Sequence, residues 1–129
     1  MLEIYPIQDK NEQKDICCKC NMTYVPDAMC YSALVEGTLV GACQFRIKDK
    51  HGLIVEMNNC IDVSDKDALF VMGRAALNFI DLCDVHEAYY IGSSLDEQTL
   101  LRIGFRNTDG KWYINLSNFF EHPCEHAQG

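Results

Sequence analysis

Residues 61–84 read IDVSDKDALFVMGRAALNFIDLCD. From Asp65 to Asp84 the polar positions Asp67, Arg74, Asn78 and Asp81 fall seven, four and three residues apart, one narrow stripe on a helix of about 3.6 residues per turn. Nearly every other position is apolar, so the helix is expected to be buried on all sides except that stripe. Ser64, with Asp67 three residues later, supplies a capping signal at its start. Gly73 inside it costs about 1 kcal/mol against alanine, which points to close packing or to the approach of a ligand.

Strand-type sequence surrounds this helix. Met1 to Pro6 alternates as a short strand that Pro6 ends, and Asp9 to Met22 is polar, with Ile16 and Cys20 at helical spacing. Cys30–Val35 and Thr38–Lys48 flank Glu36-Gly37, a two-residue hairpin turn. In the second arm Leu39, Gly41, Cys43, Phe45 and Ile47 share an apolar face. A turn at 49–52 leads to a further strand, Leu53–Ile61. Beyond the helix come a strand over His86–Ile91 and a short helix between a Ser94–Glu97 capping box and Gly104. A closing hairpin follows, with Trp112, Ile114 and Leu116 on one face, and the tail from Glu121 reads as frayed. The order is β-α-β-β-β-α-β-α-β-β, an α/β (α+β) chain with a mixed central sheet in a single domain over 1–129.

A chain of 129 residues, 48% hydrophobic and 23% charged, has the composition of one globular domain. The formal net charge of −8 and the scattered Lys and Arg argue against nucleic acid as a partner. An acidic surface suits a cationic or amine substrate, or is simply a solvated surface. No segment reaches the roughly 18 apolar residues of a membrane span, and Met1–Pro6 lacks a secretory pattern, so no membrane partner and a cytoplasmic location are expected. Eight cysteines without a signal peptide read as free thiols. Cys17-Cys18-Lys19-Cys20 invites a metal reading with Cys30 or with His122, Cys124 and His126. A zinc site wants a second half of comparable spacing, so no metal is expected and the remaining cysteines read as packing.

The element order, with Gly73-Arg74-Ala75-Ala76-Leu77 and Leu101-Arg102-Ile103-Gly104-Phe105, resembles the GNAT superfamily of acyl-CoA N-acyltransferases. In that family a fourth strand, a loop and a helix opening with R/Q-x-x-G-x-G/A hold the pyrophosphate of acetyl-CoA on backbone N–H groups. The resemblance implies that Cys60, Ile61, Asp62 and Val63 face the pantetheine arm. It implies that Ala68, Leu69, Phe70, Val71, Met72, Gly73 and Arg74 form the pyrophosphate segment, and that Ser93 contacts CoA. Ala68 stands where the motif has Arg or Gln, and Val71 where it has its first glycine. Leu100 stands where many members carry a tyrosine acid.

Function then follows as an expectation from the resemblance: acetyl transfer from acetyl-CoA, as co-substrate, to an amine acceptor. Glu56 is the candidate base, with a pKa raised by burial. In this register the family's frequent glutamate falls on Met57, so Glu56 serves only if the loop length differs by one residue; otherwise it faces solvent. Tyr90, or its neighbour Tyr89, is a candidate acid or a packed aromatic. Cys60 reads as packing rather than as a nucleophile. The alternative to catalysis is a GNAT-like module that binds acyl-CoA or a protein partner, and a homodimer stands open beside a monomer.

Overall fold

Three pairs of residues in the left-handed region set the strand pairing of this protein. A computed structural model, which describes residues 1–120, places Glu36 and Gly37 at φ 51° and 79°, Asp49 and Lys50 at 52° and 65°, and Asp109 and Gly110 at 53° and 82°. Two successive positive φ values match the right-handed twist of the flanking strands. They close the hairpins between β2 (Met29–Val35) and β3 (Thr38–Lys48), between β3 and β4 (His51–Asn59), and between β6 (Arg106–Thr108) and β7 (Lys111–Asn115).

The remaining elements are β1 (Leu2–Ile7), α1 (Lys10–Lys19), α2 (Lys66–Leu82), β5 (Glu87–Tyr90) and α3 (Glu97–Ile103). One seven-stranded sheet results, in the order β1-β2-β3-β4-β5-β7-β6. Every pairing is antiparallel except β4 with β5, because α2 carries the chain across the sheet between them. The element order is the one expected from the sequence. Pro6 does not end β1: the strand runs on to Ile7, since β1 lies at the sheet edge, where a missing N–H is tolerated.

Two cores cover the two faces. On one, Leu69, Met72, Leu77 and Ile80 of α2 pack on Phe45, Ile54, Met57 and Ala88. Gly52 and Gly73 allow the approach: a Cβ on Gly52 would meet Ile80 Cγ2 at 2.7 Å, and one on Gly73 would meet Ile103 Cδ1 at 2.9 Å. Gly73 is thus explained by packing. On the other face Ile16, Cys17 and Cys20 of α1 pack on Cys30 and Ala42.

Several boundaries differ from the sequence reading. Asp65, not Ser64, caps α2 through its side chain, and Asp96, not Ser94, caps α3. The solvent stripe of α2 is wider than expected, because Val71 (38% exposed) and Leu82 (74%) join it. Leu69, Leu77 and Ile80 are buried as the periodicity requires. The seven described cysteines form no disulfide, and no group of His, Cys, Asp or Glu among the described residues is placed to hold a metal. The expected tail from Glu121, with His122, Cys124 and His126, lies outside the described residues. No helix among the described residues is long and apolar enough to cross a membrane.

Candidate functional site

Where β4 and β5 part, the structure opens a cleft. Their parallel pairing ends at Ile54 and Tyr90, and the last bond runs from the Ile91 N–H to the Ile54 carbonyl at 3.0 Å. At that level β4 carries a bulge: Gln44 pairs with Glu56 and Phe45 with Ile54, which leaves Val55 as an extra residue. The bulge lets Ile54 and Met57, three apart, both face the α2 core.

Beyond the bulge the free edge of β4 has no strand partner. The Met57 N–H is met by Glu56 Oε1 at 3.1 Å, and the Asn59 N–H by Asn58 Oδ1 at 3.0 Å. Glu56 also reaches across the cleft. Its Oε2 accepts from the Ser93 N–H at 2.9 Å, and its Oε1 from the Ser94 N–H at 3.3 Å and the Tyr90 hydroxyl at 2.7 Å. Gly92 makes room, for a Cβ there would lie 2.3 Å from Glu56 Oε1.

Burial pushes the Glu56 carboxyl upward, but the N–H groups of Ser93, Met57 and Ser94 and the Tyr90 hydroxyl outweigh it and hold the pKa below the usual value. The expected raised pKa is therefore corrected: hydrogen bonds to the ionised form win over desolvation. Tyr90 is pushed the other way by burial and by Glu56, and stays a neutral donor whose oxygen accepts from the Leu95 N–H at 3.1 Å. Tyr89 points to the opposite sheet face, against Tyr113 and His51.

The positions assigned from the motif spread apart. Cys60, Ile61 and Val63 follow the strand rather than end it, and their N–H groups bond the carbonyls of Val40 (2.9 Å), Lys19 (3.0 Å) and Cys60 (2.9 Å). They are not the open edge; Met57 and Asn59 are. Asp62 turns the chain at φ 66°, and Ile61 is 62% exposed. Ala68 is in the first turn of α2, its N–H taken by Asp65 Oδ1 at 3.0 Å. Leu69 bonds the Asp65 carbonyl, and from there the N–H groups belong to the helix ladder. Leu69, Met72 and Gly73 face the core, and Val71 lies in the helix body. Phe70 is sandwiched between Arg74 (4.8 Å) and Arg102 (4.5 Å), while Arg74 Nε caps α3 at the Ile103 carbonyl, 2.5 Å away. The N–H groups of Lys66 and Asp67 precede the helix ladder, beside the capping carboxylate of Asp65. Lys66 pairs with Asp96 (2.9 Å) and Arg102 with Asp67 (2.8 Å). Leu100 is 2% exposed and offers no proton.

A cavity of about 410 Å³ lies on the α1 side of the cleft, between Asn21, Met22, Thr23 and Val25 on one wall and Glu56, Gly92 and Ser93 on the other. A groove of about 650 Å³, lined by His51, Tyr89 and Trp112, shares Ile91 and Gly92 with it. A buried amide pair holds the first wall. Gln44 Oε1 accepts from Gln13 Nε2 (3.0 Å) and the Val25 N–H (2.9 Å), and Gln44 Nε2 donates to the Thr23 carbonyl (2.7 Å). Sequence reasoning missed Val55, Gly92 and the Gln13–Gln44 pair. The small residues Gly92-Ser93-Ser94 after a strand were the available signal.

No protein-family profile matches the sequence, and no curated protein sequence matches it. Solved structures match its fold. An acetyltransferase from Bacillus subtilis in complex with CoA superposes with a TM-score of 0.70 at 15% identity, over 90% of this chain and 99% of that one. The ribosomal-protein-S18-alanine N-acetyltransferase of Escherichia coli gives 0.66 at 8% identity, over 90% and 94%. A GNAT family acetyltransferase from Brucella melitensis in complex with acetyl-CoA gives 0.65 at 11% identity, over 89% and 88%.

Proposed function

We propose, for a chain that has the GNAT fold, that it binds acetyl-CoA in the β4–β5 cleft and transfers the acetyl group to an amine held in the α1-side cavity. The parting of β4 from β5 at the Val55 bulge carries the reading. An extended amide-bearing chain such as pantetheine completes an open strand edge as an added strand would, and the N–H groups of Met57 and Asn59 are the donors it would take over. The diphosphate then lies towards the N-terminus of α2, on the backbone of Ser64 to Asp67. The Asp65 carboxylate at the cap opposes it, which lowers the affinity.

Transfer needs an amine beside the thioester carbon and a place for its proton. Glu56, ionised and fixed by its donors, attracts and orients the cationic amine, and steadies the positive nitrogen that forms on attack. A carboxylate held below its usual pKa is a poor proton acceptor, so the amine proton leaves to water in the cavity. Tyr90 is a positioning residue that holds Glu56 through its neutral hydroxyl, and the departing thiolate takes its proton from solvent. The second reading, binding without transfer, is favoured by Leu100, a buried apolar residue where the resemblance expects a tyrosine acid.

Calorimetry with acetyl-CoA, with loss of thioester absorbance over a panel of amines, tests both. Binding with amine-dependent thioester loss is expected, with amide NMR shifts centred on 57–67. Binding without loss supports the second reading. The absence of both heat and amide shifts overturns the cleft assignment.

A further inference from the structure

The face of the sheet under α1 holds four cysteines that the proposed reaction does not use: Cys17, Cys20, Cys30 and Cys60. Two of them are paired. Cys20 Sγ lies 3.2 Å from Cys60 Sγ across 40 residues of sequence, inside ordinary sulfur contact and about 1.2 Å beyond a disulfide bond. We infer that Cys20 and Cys60 form a dithiol site that a small-molecule disulfide oxidises to an intramolecular disulfide.

The backbone around the pair is already clamped. The Ile61 N–H bonds the Lys19 carbonyl at 3.0 Å, one residue to either side, and Asn58 Nδ2 bonds the Cys20 carbonyl at 3.0 Å. The Cys60 N–H is held on Val40 at 2.9 Å. These bonds hold α1 and the end of β4 together on both sides of the sulfur pair.

The two thiols differ in access, which orders the steps. Cys60 is half-buried at the end of β4, whereas Cys20 is fully buried and its thiol is pushed up by desolvation and by the Cys60 sulfur. Cys60, as thiolate, attacks one sulfur of the external disulfide, forming a mixed disulfide and releasing one thiolate. Cys20 then loses its proton to solvent and attacks the Cys60 sulfur, forming the internal bond and releasing the second thiolate. Two cysteine thiols are oxidised and one external disulfide is reduced to two thiols. Cys17 and Cys30 are both buried, so neither is as open to an external disulfide as Cys60. The new bond would join the start of the Asn21–Val25 wall to the turn before α2. The inference rests on the sulfur geometry and not on the proposed transfer.

The test uses the full chain with the exposed Cys18 and Cys83 changed to Ser, treated with oxidised glutathione. A product about 2 Da lighter is expected, for the two hydrogens lost, with Cys20 and Cys60 in one cross-linked peptide. Its melting temperature should rise by up to about 10 °C, and dithiothreitol should reverse both changes. Cys60→Ser should remove the mass loss, and Cys20→Ser should stop the reaction at a glutathione adduct on Cys60. An unchanged mass, a bridge mapped to Cys17–Cys30 or to Cys124, or an oxidised form that melts lower would each overturn the proposal.

Discussion

Gly92→Ala tests whether the Glu56 carboxylate holds the two sides of the cleft together. The new Cβ would lie 2.3 Å from Glu56 Oε1, 2.6 Å from its Cδ and 2.8 Å from the Tyr90 hydroxyl, where real Cβ contacts under 3.0 Å essentially never occur. Gly92 does not have a positive φ, so the backbone accepts alanine and the side chains must move. Moving the carboxylate by the missing ångström breaks its bonds to Ser93 (2.9 Å) and Ser94 (3.3 Å) and weakens that to Tyr90 (2.7 Å). Each hydrogen bond to a charged group contributes about 1.5–3 kcal/mol when buried. This carboxylate is partly reached by water, so the net loss should be about 1–3 kcal/mol. Urea unfolding at neutral pH measures it. In a Glu56→Ala background the same substitution should cost less than about 0.5 kcal/mol, giving a coupling of about 1–2 kcal/mol. The Glu56 pKa is depressed, so its stabilisation is present above the unfolded carboxyl pKa and fades as pH falls through the folded one; the coupling should shrink on acidification. Additive losses, or a coupling that survives at low pH, would refute the carboxylate clamp.

Two further outcomes follow from charge. Asp65→Ser keeps a capping oxygen for the Ala68 N–H while removing one carboxylate at the α2 entrance, so CoA affinity by calorimetry should improve about 2–5-fold with little change in melting temperature; weaker binding would place the diphosphate elsewhere. His86 lies between Asp81 Oδ1 (2.6 Å) and Asp84 Oδ1 (3.0 Å), and the Asp81 bond first, then that of Asp84, raises its pKa above the ordinary value. Its contribution to stability is present below the unfolded histidine pKa and lost as pH rises through the folded one. An NMR titration should show a midpoint above about 6.5 that falls in Asp81→Asn; an unmoved midpoint would remove Asp81 as the cause.

What the sequence alone determined about this protein is what adjacent residues control. Glu36-Gly37 could turn a hairpin because φ > 0 is cheap at Gly37, and the spacing of Asp67, Arg74, Asn78 and Asp81 set which side of α2 meets the sheet. The element order, and with it the GNAT fold, follows from such local signals. The point at which α2 begins was less legible, since Ser64 and Asp65 are both competent caps and only the Asn59 side chain, accepting from the Asp65 N–H at 3.1 Å, selects the second. That single residue decides which N–H groups remain outside the helix ladder. Tertiary structure alone decided the cleft. Val55 is an ordinary strand residue by composition, and it becomes a bulge only because Gln44 and Phe45 take Glu56 and Ile54 as partners. The bulge aims Glu56 at N–H groups 37 and 38 residues away, and those donors reverse the pKa shift that burial alone would produce. The pairing of Cys20 with Cys60 has the same origin. Side chains distant in sequence meet where backbone pairing places them, and no local spacing encodes that meeting.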